Sequence, residues 1–254
     1  DIQEMVVGSM LDSSALAAVC DGARYLYHFG GIADIVEAKD KPLETIEANI
    51  MGASTALEVA RITSVKRFLY ASTMYVYSSY GSFYRATKQA SEAIIEVYAE
   101  NFGLEYSILR YGSIYGPRAQ NWNSLNKYVY EALNNGKIDY IGTGEEIREY
   151  IHVKDAAKLS AKVMDNKYDN KSINITGTQV FTSGEMLNMI KEIAGSEVKI
   201  NFHKAKNSSD HYKITPYRYT PKQAMNIVPD EFVDLGSGIL DLMERLMSNQ
   251  NLIY

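Results

Sequence analysis

Tyr84 and Lys88 stand four residues apart in SFYRATKQA, residues 82–90. On a helix this spacing puts a phenol and an ammonium on one face. A phenol with its ordinary pKa near 10 is a poor base at neutral pH. A neighbouring positive charge favours the phenolate, which can then take the proton of an alcohol. Spacing alone proves nothing, because a chain with 20 Tyr and 17 Lys in 254 residues produces about one Tyr-x-x-x-Lys by accident. There are two, the second being Tyr150/Lys154. Position separates them. Ser72-Thr73 closes an apolar strand shortly before Tyr84, so hydroxyl, phenol and ammonium can converge. Tyr150/Lys154 spans a strand-to-helix passage, where residues four apart share no helical face.

The surrounding elements alternate. Helical patterns are expected at 12–20, 41–63 and 83–103, with Pro42 in a first turn and Gly103 as a stop. Strands are expected at 24–31, 65–73 and 104–112. Short connections between alternating strands and helices predict an α/β fold with a parallel sheet covered on both faces. Ligands of such sheets sit at the carboxyl ends of the strands, here HFGG, AST and RYGS. Beyond GPR (116–118) the rhythm loosens. Helices are expected at 123–136, 153–165, 182–195 and 232–249, with strands at 137–144, 147–153, 171–176 and 197–202. This half reads as a smaller mixed lobe.

Composition excludes several classes. A net charge of −5 offers no footprint for nucleic acid or an anionic membrane. No run of 18 apolar residues suggests a membrane span. One cysteine and four scattered histidines give no disulfide framework and no metal constellation. A reduced, cytoplasmic protein is the expectation. The chain begins DIQEMVVG, without an initiator Met, and reads as cut from something longer.

Seven stretches in order then carry a resemblance. They are DIQE, YHFGGIAD, N-x-x-G-x-x-x-x-L-E from Asn49 to Glu58, VKRFLYASTMYVY, YRATK, LRYGSIYGPR and GTGEEIREYIHVKD. Over residues 1 to 158 the chain resembles the extended short-chain dehydrogenase/reductases of the NAD-dependent nucleotide-sugar epimerase/dehydratase family. The resemblance implies a Rossmann-like domain over 1–115 with part of 147–180, and a substrate-binding lobe over most of 116–254. It implies Tyr84 as catalytic base and acid, Lys88 on the nicotinamide ribose, and Thr73 on the substrate hydroxyl with Ser72 beside it. Asp1 and Ile2 match the pair that holds the adenine, and Phe29, Gly30 and Gly31 lie along the pyrophosphate and ribose. Asn49 matches a residue near the cofactor, and Tyr111 and Gly112 border the nicotinamide. Arg148 matches an arginine that pairs with the nucleotide diphosphate, and Ser113 stands where relatives often carry a substrate-contacting Asn. A homodimer through a four-helix bundle is implied, with Ala53, Leu57, Ala90, Ile94, Val97 and Tyr98 as its apolar face.

The chain departs from that pattern in places. No glycine run completes the family's phosphate loop. Its place, one and a half β-α units of roughly 55 to 60 residues, falls before residue 1. The residue that chooses NAD or NADP falls there too, so NAD is expected with NADP open. Ten residues separate Thr73 from Tyr84, where many relatives have a longer loop. Met74-Tyr75 replaces the Asp-Glu pair of sugar dehydratases, which disfavours a 4,6-dehydratase. The expected activity is oxidation or epimerisation at C4 of a nucleotide-activated sugar. A 4-dehydrogenase or 4-keto reductase is the alternative, and a non-catalytic scaffold is the reading from another class.

Overall fold

The structure, a computed structural model, describes residues 4–120, 122–195, 197–204, 225–227 and 229–248. Along the chain run α1 (Ser13–Cys20), β1 (Tyr25–His28), α2 (Ile35–Asp40), α3 (Pro42–Ile46), a π turn (Glu47–Met51) and α4 (Gly52–Ile62). Then come β2 (Arg67–Thr73), a 3₁₀ turn (Met74–Tyr77), α5 (Ser82–Phe102), β3 (Glu105–Tyr111), β4 (Ser113–Tyr115) and α6 (Ser124–Asn135). The remainder is β5 (Lys137–Ile141), β6 (Ile147–His152), α7 (Val153–Lys162), a 3₁₀ turn (Asn166–Tyr168), β7 (Lys171–Ile175), β8 (Val180–Thr182), α8 (Ser183–Ala194), β9 (Lys199–His203), β10 (Met225–Asn226) and α9 (Leu235–Ser248).

The chain divides into two compact units. The first holds the described residues up to Arg110, with Val163–Asn174 and Met225. The second holds Tyr111–Lys162 and the described residues of 175–219 and 226–254.

The first unit is built on the sheet of order β1-β2-β3-β7-β10. β1 and β2 run parallel, with Tyr25 opposite Arg67 and His28 opposite Tyr70. Six of the seven β2 residues are buried, as a strand covered on both faces requires. Phe68, Tyr70 and Ile108 of the sheet pack with Leu57, Val59 and Ile95 of α4 and α5 in one apolar cluster. Asp12 and Asp34 cap α1 and α2 through their carboxylates. Gly103 stops α5 in the left-handed region at φ 68°, its N–H donating to the Ala99 carbonyl.

The helix expected over 41–63 is not uniform. A π turn interrupts it at Glu47–Met51. Such a turn accommodates an extra residue and re-aims side chains near it. Ala53 and Leu57, expected on an outer apolar face, are instead buried in the cluster against the sheet. The exposed large apolar residues are Leu43, Ile46, Met51 and Ile62 in this stretch and Phe83, Val97 and Phe102 on α5.

The second unit carries two small sheets. β6 pairs with β4 in parallel and with β8 antiparallel, and β5 pairs with β9. Its core joins Leu125 and Val129 of α6, Ile138, Leu187 and Ile190 of α8, and Ile239 and Leu242 of α9. A full capping box of Thr182 and Glu185 opens α8.

Candidate active site

α5 brings Tyr84 and Lys88 against the carboxyl end of β2. Tyr84 lies in the first turn, half-buried, with its ring edge-on to Tyr75 at 6.2 Å. Lys88, one turn on, is only 5 % exposed. Its ammonium donates to the Ala71 carbonyl at 2.7 Å and lies 4.6 Å from the Tyr70 ring centre and 6.0 Å from that of Tyr84. Burial pulls the Lys88 pKa down to about 8, and the charge of Glu92 opposes that pull. Lys88 therefore sits near the middle of its titration at slightly alkaline pH.

Ser72 and Thr73 point to opposite faces, as successive strand residues must. The Ser72 hydroxyl donates to Glu92 Oε1 at 2.6 Å. Thr73 caps the 3₁₀ turn by accepting from the Tyr75 N–H at 3.3 Å, which leaves its hydroxyl proton for a ligand.

β1 ends on buried His28 and runs into exposed Phe29, Gly30 and Gly31. Gly31 has φ 139°, and a Cβ there would come 2.5 Å from Asn49 Oδ1. Only glycine lets this turn lie against Asn49. Asn49, in the π turn, accepts from the Ile32 N–H at 2.7 Å and donates to the Ile32 carbonyl and Thr87 Oγ1, each at 3.0 Å. Its side chain thereby ties the glycine turn to α5. His28 packs against both Phe68 and Tyr70, its ring centre 5.9 Å from each, with no hydrogen-bond partner for Nε2 among the described residues. Burial and the nearby Lys88 charge push its pKa down to about 4.

The second unit holds the other expected residues. The Tyr111 and Ser160 hydroxyls share a hydrogen bond of 2.5 Å. The Gly112 N–H donates to the Ile175 carbonyl, and a Cβ there would crowd the Glu149 carbonyl at 3.2 Å. Ser113 of β4 pairs with Tyr150 of β6. Arg148 is half-buried in β6 and donates to its neighbour's carbonyl at Ile147. Asp1 and Ile2 lie outside the described residues.

A profile of the NAD dependent epimerase/dehydratase family matches residues 1–176, more than half of the sequence. The chain belongs to this family. An uncharacterized UDP-glucose epimerase of Bacillus subtilis is 24 % identical over 201 residues, covering 74 % of this chain and 64 % of that protein. A UDP-N-acetyl-alpha-D-glucosaminuronate decarboxylase of Bacillus cytotoxicus is 26 % identical over 213 residues, covering 76 % and 66 %. The chain thus spans slightly less than two thirds of the length of these relatives. Among solved structures, a UDP-glucuronic acid 4-epimerase from Bacillus cereus, in complex with NAD and UDP-glucuronic acid, superposes with TM-score 0.80 at 21 % identity. That match covers 95 % of this chain and 81 % of the epimerase, and it bears out the α/β fold with its Rossmann-like parallel sheet.

Within this family member, some residues around the site were not singled out from sequence. Glu92, Arg110, Tyr77 and His28 are all buried near Lys88 or its partners. A signal existed for two of them: Glu92 follows Lys88 by one helical turn, and Arg110 interrupts the apolar strand SILRY. Among the described residues no group of His, Cys, Asp and Glu could hold a metal ion, and no helix is long and apolar enough to cross a membrane.

Proposed function

We propose that this chain carries the reaction centre of an NAD(P)-dependent enzyme that oxidises and epimerises C4 of a nucleotide-activated sugar. The observation that carries the reading is the meeting of α5 with β2: Lys88 anchored on Ala71, 6.0 Å from the Tyr84 ring, with Thr73 two residues further along the strand. The residues present suit part of the cofactor. The exposed Phe29-Gly30-Gly31 turn offers backbone for close approach, and the Lys88 ammonium lies 6.0 Å from the Tyr84 ring. NAD, when bound, supplies the hydride acceptor and donor.

The chain's own residues do the rest. Tyr84 takes the proton of the C4 hydroxyl and returns it to the C4 oxygen. The Lys88 ammonium stabilises negative charge on the Tyr84 oxygen. Thr73 donates its free hydroxyl proton to the sugar oxygen. Tyr111, Gly112, Ser113 and Arg148 take the nicotinamide and nucleotide roles that the family pattern gives them, Arg148 through its planar fork on a diphosphate. Met74, fully buried, and Tyr75 supply no acid/base pair for loss of water, which favours epimerisation over dehydration. A homodimer is part of the reading, with Ile62, Val97 and Phe102 as the exposed apolar residues it would cover.

The test is to incubate the protein with NAD and a panel of UDP- and dTDP-sugars and to follow both the sugar, by NMR, and NADH absorbance. An epimerase interconverts C4 epimers without net NADH, and a 4-dehydrogenase accumulates NADH with product. Tyr84→Phe should lower turnover about 100- to 10,000-fold with unchanged folding. Undiminished turnover in that variant removes the role given to Tyr84.

A further inference from the structure

Three charged side chains are buried together in the first unit: Lys88 at 5 %, Glu92 at 2 % and Arg110 at 3 % exposure. Buried ions are costly and often replaceable by apolar residues, so their arrangement calls for a reason beyond stability. Glu92 Oε1 accepts from Ser72 Oγ at 2.6 Å and from Arg110 Nε at 3.0 Å, while Oε2 accepts from Arg110 Nη2 at 2.8 Å. Arg110 Nη1 donates to the Tyr77 hydroxyl at 2.6 Å, and Tyr77 donates to Asn174 Oδ1 at 3.3 Å.

These bonds hold one short segment. Lys88 grips Ala71, Glu92 grips Ser72 and Arg110 grips Tyr77 at the end of the turn that Thr73 caps. Thr73 is therefore fixed from both sides relative to α5, the helix that carries Tyr84. Glu92 also follows Lys88 by four residues on that helix, so the two face the same side. We propose that Glu92 is a positioning residue of this site, clamping Ser72 and acting as the counter-charge that keeps the buried Lys88 ammonium protonated.

The other groups around Lys88 cannot supply that charge. β1 presents His28 and β2 presents Tyr70, both buried, and α5 itself adds Tyr84. The ion pairs that α2, α3 and α4 form lie at the surface, Lys41 with Glu37 and Glu44, and Arg61 with Glu58. Arg110 on β3 is cationic and is already engaged by Glu92.

The proposal rests on the reading of Tyr84 and Lys88 given above, but its main test needs no turnover and no cofactor. In protein labelled with ¹³C at the lysine ε-carbon, Lys88 is assigned by its loss in Lys88→Met and titrated. It should titrate near pH 8 in the wild type. In Glu92→Gln its midpoint should fall by roughly one to two pH units. The alkaline limb of the turnover profile should move down with it. An unmoved midpoint in the folded variant makes Glu92 a structural partner of Arg110 and overturns the counter-charge. Should the single variant fail to fold, Glu92→Gln/Arg110→Met is compared with Arg110→Met, so that only the Glu92 charge differs, and a fall of the Lys88 midpoint between the two or its absence decides. Glu92→Asp keeps the charge and shortens the reach to Ser72. There Lys88 should titrate near its wild-type midpoint while kcat falls and KM changes little; wild-type kcat in this variant overturns the clamp. A shifted midpoint in a protein that turns over no nucleotide sugar keeps the role of Glu92 and rejects only the assigned reaction.

Discussion

Replacing Lys88 with Met should reveal how much stability the site gives up to hold its ammonium. In the folded protein burial lowers the Lys88 pKa from 10.5 to about 8. The unfolded chain therefore binds a proton that the folded chain has released whenever the pH lies between these values. Stability rises with pH where the unfolded state binds more protons. The contribution is thus fully present above the unfolded value and is lost as pH falls through about 8. Two and a half units at about 1.36 kcal/mol each give a full span of about 3 kcal/mol. Between pH 8 and pH 9.5 the wild type should gain about 2 kcal/mol that Lys88→Met does not. Comparing the two proteins cancels other titrations in that window, including buried Tyr70, whose pKa burial raises far above it. The assay is urea unfolding of both proteins at half-unit steps from pH 7 to pH 9.5. A stability difference that stays constant across those steps refutes the buried, depressed ammonium, and with it the electrostatic account of Tyr84. A second consequence follows at pH 7. Met removes a charged group but leaves the Ala71 carbonyl unpaired, at a cost of about 1–3 kcal/mol. The loss of stability in the variant should therefore be much smaller than the loss of activity.

Further outcomes follow from the same geometry. His28 is held at about 4 against an ordinary 6.5, so its contribution is present above 6.5 and is lost as pH falls through 4. His28→Phe should flatten the stability profile in that window by up to about 3 kcal/mol, measured by urea unfolding against the wild type. Gly31→Ala drives a Cβ onto Asn49 in a backbone conformation disfavoured for alanine. It should cost about 1–3 kcal/mol and weaken NAD binding, read by the urea midpoint and by calorimetry. Val97→Asp places a charge on an exposed apolar part of α5. It should convert a dimer to monomers by light scattering, whereas a wild type that is already monomeric rejects the homodimer.

What the sequence by itself determined is what local patterns determine. Apolar spacing and a stop glycine put a helix over 83–103, and the structure has it at Ser82–Phe102. An unbroken apolar run put a strand over 65–73, observed at Arg67–Thr73. These follow from side-chain period and from the backbone freedom of glycine, both readable within a few residues. The Tyr84/Lys88 pair was legible for the same reason, since both members sit on one helix beside a strand ending in Thr73. The tertiary structure decided the rest. Nothing near Asn49 announces a π turn, because that turn exists to meet Ile32 and Thr87, which lie 17 and 38 residues away. Helix α2, six residues at Ile35–Asp40, is too short to leave a periodic signature. The pairing of Glu92 with Arg110 and Ser72 joins a helix to two strands across 18 and 20 residues. A sequence shows that each of these residues is polar or charged. Only folding shows that they are buried, and burial gives a carboxylate its hold on a neighbouring lysine, because low polarity around the pair lets the charge act at a distance that water would screen.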